Sequence, residues 1–290
     1  MTENLQFSKL LTIGFSNAMI ELCHKARTAG KDTLLVDLSR TTFVTPFGIV
    51  LLAGTISEVL SNNKKAEYIE PRDVKTKRFL QGIGFNKFFN LTREPYKIES
   101  PNVQLRCLKK IDYFLTDQIL EVFKSSISMS EGVQGSLKMA LNELMTNVFD
   151  HSESRKGCYV CAQTYPQAGH IRLCVADFGI GILASLKKVS KYKSLRSDYD
   201  GIKLAIQEGV TSRKQGGAGK GLDNINRFVK VNEGKLYILS GRGKVLWNYS
   251  DPKKPRIEEQ TMSLPFDGTL IELEINVDKQ GFYFLTSESF

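Results

Sequence analysis

The stretch MALNELMTNVFDHS, inside a helical pattern running from about residue 131 to 151, constrains the fold more than any other part of the sequence. Glu143, Asn147 and His151 recur at i, i+4 and i+8 and so project from nearly one face, while Ala140, Leu141, Leu144 and Val148 form an apolar stripe beside them. Such a helix needs a second layer on which to bury that stripe. The surrounding sequence supplies strands: VQLRCL before it, with a further helix between, then GCYVCAQT, IRLCVAD, KLYILS, KVLWNY and TLIELEI after it. Helices laid on a sheet make an α/β layer structure. On its own the polar stripe is equally a solvated helix surface, so its meaning depends on what it faces.

A second motif lies at the end of the apolar strand IRLCVAD, where Asp177-Phe178-Gly179-Ile180-Gly181 follows. Protein kinases use Asp-Phe-Gly to present an aspartate to magnesium, but they need a glycine-rich loop, a strand lysine and an His-Arg-Asp loop upstream. The stretch DHSESRKGCYVCAQTYPQAGHIRL has no His-Arg-Asp, and the dense glycine cluster, QGGAGKGL at 215–222, lies downstream. A kinase of that type is excluded. What the residues do offer is a tight turn at two glycines, with backbone free to approach a ligand, and a carboxylate able to accept a hydrogen bond from an exocyclic amine such as that of adenine. In the third motif, Gly216-Gly217-Ala218-Gly219-Lys220-Gly221-Leu222 precedes the helical pattern DNINRFV. Glycine N–H groups at a helix start form an anion site to which Lys220 adds a cation, although the spacing is not that of a Walker loop.

The chain divides near residue 100 into parts of 1–92 and 105–290, with the polar stretch 93–104 as linker. In the first part LLVDL (34–38) reads as a buried strand between amphipathic helices at roughly 15–29 and 47–62, followed by a short strand at AEYIE and a helix ending near FLQGIGF. No apolar run approaches the roughly 20 residues of a membrane span, and the N-terminus lacks the features of a signal peptide, which together imply a cytoplasmic protein. Five cysteines, an odd number, fit a reduced compartment. Cys158 and Cys161 form a C-x-x-C within a strand, which points the thiols to opposite faces and argues against a zinc site. The net charge of +9 raises nucleic acid as a partner. The densest basic stretch, KKVSKYKSLR at 187–196, carries no nucleic-acid module and reads as a solvated segment.

Taken in order, Glu-x-x-x-Asn on a helix, D-x-G-x-G at a strand end and G-x-G-x-G-L before a helix resemble the GHKL ATP-binding fold of histidine kinases, gyrase-type ATPases and anti-sigma-factor kinases. The resemblance spans roughly 105–280, and NELMTNVFDHS is most similar to the anti-sigma-factor type. It implies an α/β sandwich that binds ATP with Mg²⁺. Glu143 would polarise the attacking group, Asn147 would hold Mg²⁺ and Asp177 would bind the adenine amino group. Gly179 and Gly181 would shape the base pocket, while Gly217, Gly219, Lys220 and Gly221 would cover the phosphates. Thr211 and Ser212 resemble the family's lid segment, and Gly268-Thr269 its Gly-Thr strand start near the adenine. In the first part VDLSRTTFVTPFGIVLLAG resembles the STAS domain of anti-sigma-factor antagonists. If Gly48 matches that family's turn glycine, Phe47 stands at the phosphoacceptor serine and Thr45 at the aspartate, leaving Thr41, Thr42 and Thr45 as the nearby hydroxyls. An aromatic there implies a packed contact against the ATP domain or a second copy of the chain.

Three functions are consistent with these features: a regulatory ATPase whose nucleotide state alters partner binding, a serine/threonine kinase acting on a separate STAS partner, and an interaction protein holding ATP as a structural ligand. The implied partner is a protein, of STAS or other regulatory type, or a second copy of the chain. A sensor histidine kinase is disfavoured because the helical hairpin with a phosphoacceptor histidine is missing and His24 falls in a helix of the α/β part.

Overall fold

A computed structural model describes residues 2–89, 98, 101–126, 129–207, 209–210 and 221–276. The first part runs β1 (Thr2–Gln6), β2 (Leu10–Leu11), α1 (Ser16–Thr28), β3 (Thr33–Asp37), β4 (Phe43–Val44), α2 (Pro46–Ser61), β5 (Lys65–Ile69) and α3 (Val74–Gly82). The rest runs β6 (Asn102–Leu108), α4 (Tyr113–Lys124), α5 (Glu131–His151), β7 (Cys158–Tyr165), β8 (His170–Asp177), α6 (Gly181–Leu186), α7 (Asp198–Ala205), α8 (Gly221–Val231), β9 (Lys235–Asn248) and β10 (Arg256–Asn276). Polar caps start several helices: Asp73 accepts from the Thr76 N–H, Asp112 from Phe114 and Leu115, and Ser130 from Val133.

Two main sheets organise these elements. Strands β1, β3 and β5 pair in parallel in the order β1-β3-β5. The larger sheet is antiparallel, in the order β6-β7-β8-β10-β9. Alternation along its strands divides the apolar core in two. Cys158, Val160, Ile171, Leu173, Val175, Leu273 and Ile275 join α4, α5 and α8 in one cluster. Tyr159, Cys161, Cys174, Ala176 and Leu270 join α1 and α2 in the other. The two thiols of the C-x-x-C therefore face opposite cores, as a strand spacing of three requires, and all five cysteines are free.

The first part thus covers the face of the large sheet left open by α4, α5 and α8, and the two parts share a core. This changes the character of α2. Rather than the amphipathic helix expected over 47–62, it is buried at every position from Pro46 to Ile56, because it lies between the small sheet and the large one. Two strands expected at KLYILS and KVLWNY are one, β9, passing through Gly241 at φ +58°. Its partner β10 is 21 residues long, with register shifts between Thr261 and Thr269, so that TLIELEI forms only its last third.

A buried carboxylate joins the two parts. The side chain of Thr45 does not cap α2, and the Phe47 N–H donates instead to Glu272 Oε2 on β10 at 2.9 Å. Glu272 is wholly buried, and burial pushes its carboxyl up to about 7, against the pull of Arg172 and the Phe47 N–H. A raised acid binds its proton in the folded state at a pH where the unfolded chain has lost it. Its contribution to stability is therefore complete below about pH 4.5 and lost as pH rises through about 7. We predict that wild-type stability, measured by urea unfolding, falls across this window more steeply than that of Glu272→Gln. The slopes should differ by up to about 1.4 kcal/mol per pH unit near pH 6, and parallel slopes would show that the carboxyl is ionised throughout.

Candidate functional site

The site sits where α5 crosses the end of β8, and local sequence explains how it is assembled. The apolar stripe of α5 (Ala140, Leu141, Leu144 and Val148) is buried on the sheet, which turns the adjacent polar stripe along the rim of a cavity. Strand β8 ends at Asp177, paired across the sheet with Thr269 of β10 and Cys158 of β7. The turn that follows depends on glycine at two places. A Cβ on Gly179 would lie 1.9 Å from the Ser152 carbonyl, and Gly181 adopts φ +76° with its Cβ position 2.7 Å from Ser240 Oγ. Hydrogen bonds from Ile180 N–H to Ser152 O (2.8 Å) and from Ile182 N–H to Ser240 Oγ (2.8 Å) fix the turn, while Ser240 Oγ–H donates to the Gly268 carbonyl at 2.9 Å.

The cavity has about 110 Å³ open to the centre of a water molecule, against the roughly 10–15 Å³ that one water needs. Glu143, Asn147, His151, Asp177, Gly181 and Thr269 line it, and Leu144, Val148, Ile182, Leu186, Leu222 and Ile271 give it apolar walls. Asp177 is 3% exposed. Burial pushes its carboxyl up to about 7, opposed by the backbone N–H groups of Gly179 and Thr269; Gly179 donates to Oδ1 at 2.9 Å. A buried carboxylate flanked by apolar walls suits a flat apolar ring carrying an amino donor. Along the rim, Glu143 and Asn147 offer oxygen, the ligand type that Mg²⁺ takes. The donor set therefore fits an adenine nucleotide with its metal.

Of the residues singled out by sequence, Glu143, Asn147, Asp177, Gly181 and Thr269 come together at this cavity, with Gly179 in the turn behind it. Gly221 opens α8, whose second residue, Leu222, is part of the wall. Thr211, Ser212, Gly217, Gly219 and Lys220 lie outside the described residues. Sequence reasoning missed Ser152 and Ser240, which hold the turn through hydrogen bonds that no local pattern announces. It also missed the walls from Ile182 and Leu186, whose apolar character was visible but whose placement follows from the turn.

No helix among the described residues is long and apolar enough to cross a membrane. No curated protein matches the chain significantly. The family model for histidine kinase-, DNA gyrase B-, and HSP90-like ATPases matches residues 132–276, half of the sequence and the segment that builds the cavity from α5 to β10. The chain belongs to the histidine kinase-, DNA gyrase B-, and HSP90-like ATPase family, and its C-terminal part is a GHKL-type domain of the kind that binds ATP.

Proposed function

We propose that this protein is a cytoplasmic regulatory ATP-binding protein, whose GHKL domain takes Mg-ATP and either hydrolyses it slowly or uses it as a switch for binding a protein partner. One observation carries the reading: the buried Asp177 carboxyl and the polar stripe of α5 meet at one apolar-walled cavity. In this reading Asp177 accepts from the adenine amino group, Asn147 offers its amide oxygen to Mg²⁺, and Glu143 accepts a proton from the attacking water or hydroxyl. Bound Mg²⁺ supplies positive charge that offsets the phosphates. Incubation with γ-labelled ATP tests it: release of labelled phosphate supports slow hydrolysis, stable label on an added protein supports a kinase, and retention as intact ATP supports a structural or switching ligand.

The first part we read as STAS-like, with partner binding as its role. Support comes from the parallel β1-β3-β5 sheet and from the segment that leads from β3 through β4 into α2. The position matching the phosphoacceptor is Phe47, which has no hydroxyl and is fully buried in the shared core. The neighbouring hydroxyls are engaged: Thr41 and Thr45 are fully buried and donate to the carbonyls of Ser8 and Leu11. Thr42 is exposed, its hydroxyl 3.4 Å from the Lys9 carbonyl. Phosphorylating Thr41 or Thr45 would require local unfolding of a packed turn. Mass spectrometry after incubation with Mg-ATP should find Thr41, Thr42 and Thr45 unmodified, and stoichiometric phosphate on any of them would instead identify a kinase acting on itself. The partner in this reading is a separate regulatory protein or a second copy of the chain.

A further inference from the structure

The end of the cavity at Asp177 has a back as well as a front. Asp177 and Thr269 line the cavity, but Phe178, next to Asp177, and Phe266, three residues before Thr269, pack into the core shared with the first part. The Phe178 ring rests on Gly54 in the middle of α2, so closely that a Cβ on Gly54 would fall 1.8 Å from the ring's ζ-carbon. The same ring meets Tyr159 and Phe266 edge to face, with centroids 5.4 Å away in each case. Next to Phe266, Asp267 pairs with Arg27 of α1 at 3.0 Å. Both backbone segments that form this end of the cavity are therefore anchored on the first part. They also have little slack. Gly179 sits against the Ser152 carbonyl, and hydrogen bonds through Ser152 and Ser240 hold Ile180, Ile182 and Gly268. A displacement of the Phe178 ring therefore passes to its covalent neighbours, because close-packed interiors transmit strain instead of absorbing it.

We propose that Gly54, through the ring of Phe178, is a positioning residue for the nucleotide site, so that the first part of the chain sets nucleotide affinity without touching the ligand. The inference rests on reading the cavity as a nucleotide site. Its glycine is needed for close approach: any side chain at position 54 collides with the ring that precedes Gly179 and follows Asp177. Coupling of this kind is reciprocal, so nucleotide binding tightens the seat of α2 on the sheet. A partner that engages the first part and shifts α2 would thereby change nucleotide affinity.

Calorimetric titration of the full chain with Mg-ATP tests this. Gly54→Ala should bind about tenfold more weakly than wild type, in line with the strain of overpacking a filled core. In a Phe178→Leu background, where the colliding ring atoms are gone, Gly54→Ala should cost little further affinity. Gly84→Ala serves as the control, since its φ of +80° strains any side chain there and it follows α3 in the first part, off α2. That variant should lose stability yet keep ATP affinity within about twofold of wild type. Wild-type affinity in folded Gly54→Ala, or an equal loss in Gly84→Ala, would overturn the inference. Should Gly54→Ala not fold, Phe178→Leu alone decides: a loss of about threefold or more supports the proposal, and unchanged affinity overturns it. Absence of binding by the wild type itself would overturn the nucleotide reading, and this inference with it.

Discussion

Replacing Glu143 with Gln should leave Mg-ATP affinity within a few-fold of wild type while slowing turnover by roughly 10²–10⁴-fold, the usual range for losing a general base. Glu143 lies one helical turn before Asn147 on the polar stripe of α5, and both line the cavity. The two should nevertheless fail differently. In the proposed reading Glu143 is an anion beside the phosphates, so it should add nothing to ground-state binding. It becomes useful when a water or hydroxyl must give up a proton, and Gln keeps its shape without that capacity. Asn147 carries a neutral amide oxygen suited to a hard cation, so Asn147→Ala should lose affinity that depends on Mg²⁺ and leave metal-free binding little changed. Single-turnover kinetics with γ-labelled ATP separate these outcomes. If wild type and Glu143→Gln are equally inert, ATP is a structural ligand and Glu143 has no role as a base.

The second large effect concerns the base. Asp177→Asn should weaken ATP binding by roughly 10–100-fold, since a hydrogen bond to a charged group contributes about 1.5–3 kcal/mol. Asn also presents an N–H₂ group where the adenine amine needs an acceptor. Proton linkage gives a second signature. The Asp177 carboxyl already accepts from the Gly179 and Thr269 N–H groups, so its proton, when present, takes an acceptor position that the amine needs. Burial lifts the carboxyl to about 7 in the free protein, and binding favours the ionised form. Affinity should therefore rise with pH through about 7 and level off above it. In Asp177→Asn that dependence should vanish. A wild-type affinity that is flat between pH 6 and 8 would mean that the carboxyl titrates elsewhere or does not contact the base.

How much of this was legible depended on whether the signal was local. The period of MALNELMTNVFDHS located α5, and the run of apolar residues ending in Asp177 located the strand end and its turn, because each depends on neighbours along the chain. The character of α2 was not legible. PFGIVLLAGTI is apolar nearly throughout, but that it is buried on all sides follows from a second sheet contributed by residues more than a hundred positions later. The same cause misleads in TLIELEI, whose alternating glutamates suggest a strand with one wet face. Both are buried, Glu272 entirely and Glu274 at 5% exposure, because the first part covers that face. Groups from distant elements engage both. Glu274 pairs with Arg172 and Lys235, each at 2.6 Å, and Glu272 takes the N–H at the start of α2. KLYILS and KVLWNY read as two strands, yet β9 passes through Gly241 and Gly243 without ending.

If the Asp177 carboxylate accepts from the adenine amine, the full chain should distinguish Mg-ATP from Mg-GTP in calorimetric titration. Adenine carries an amino group where guanine carries a carbonyl oxygen, and that oxygen would face the Asp177 carboxylate acceptor to acceptor. One ATP should bind per chain and GTP at least about tenfold more weakly, since an unmatched buried polar group costs about 1–3 kcal/mol. No binding of either nucleotide, or equal affinity for the two, would rule out that contact.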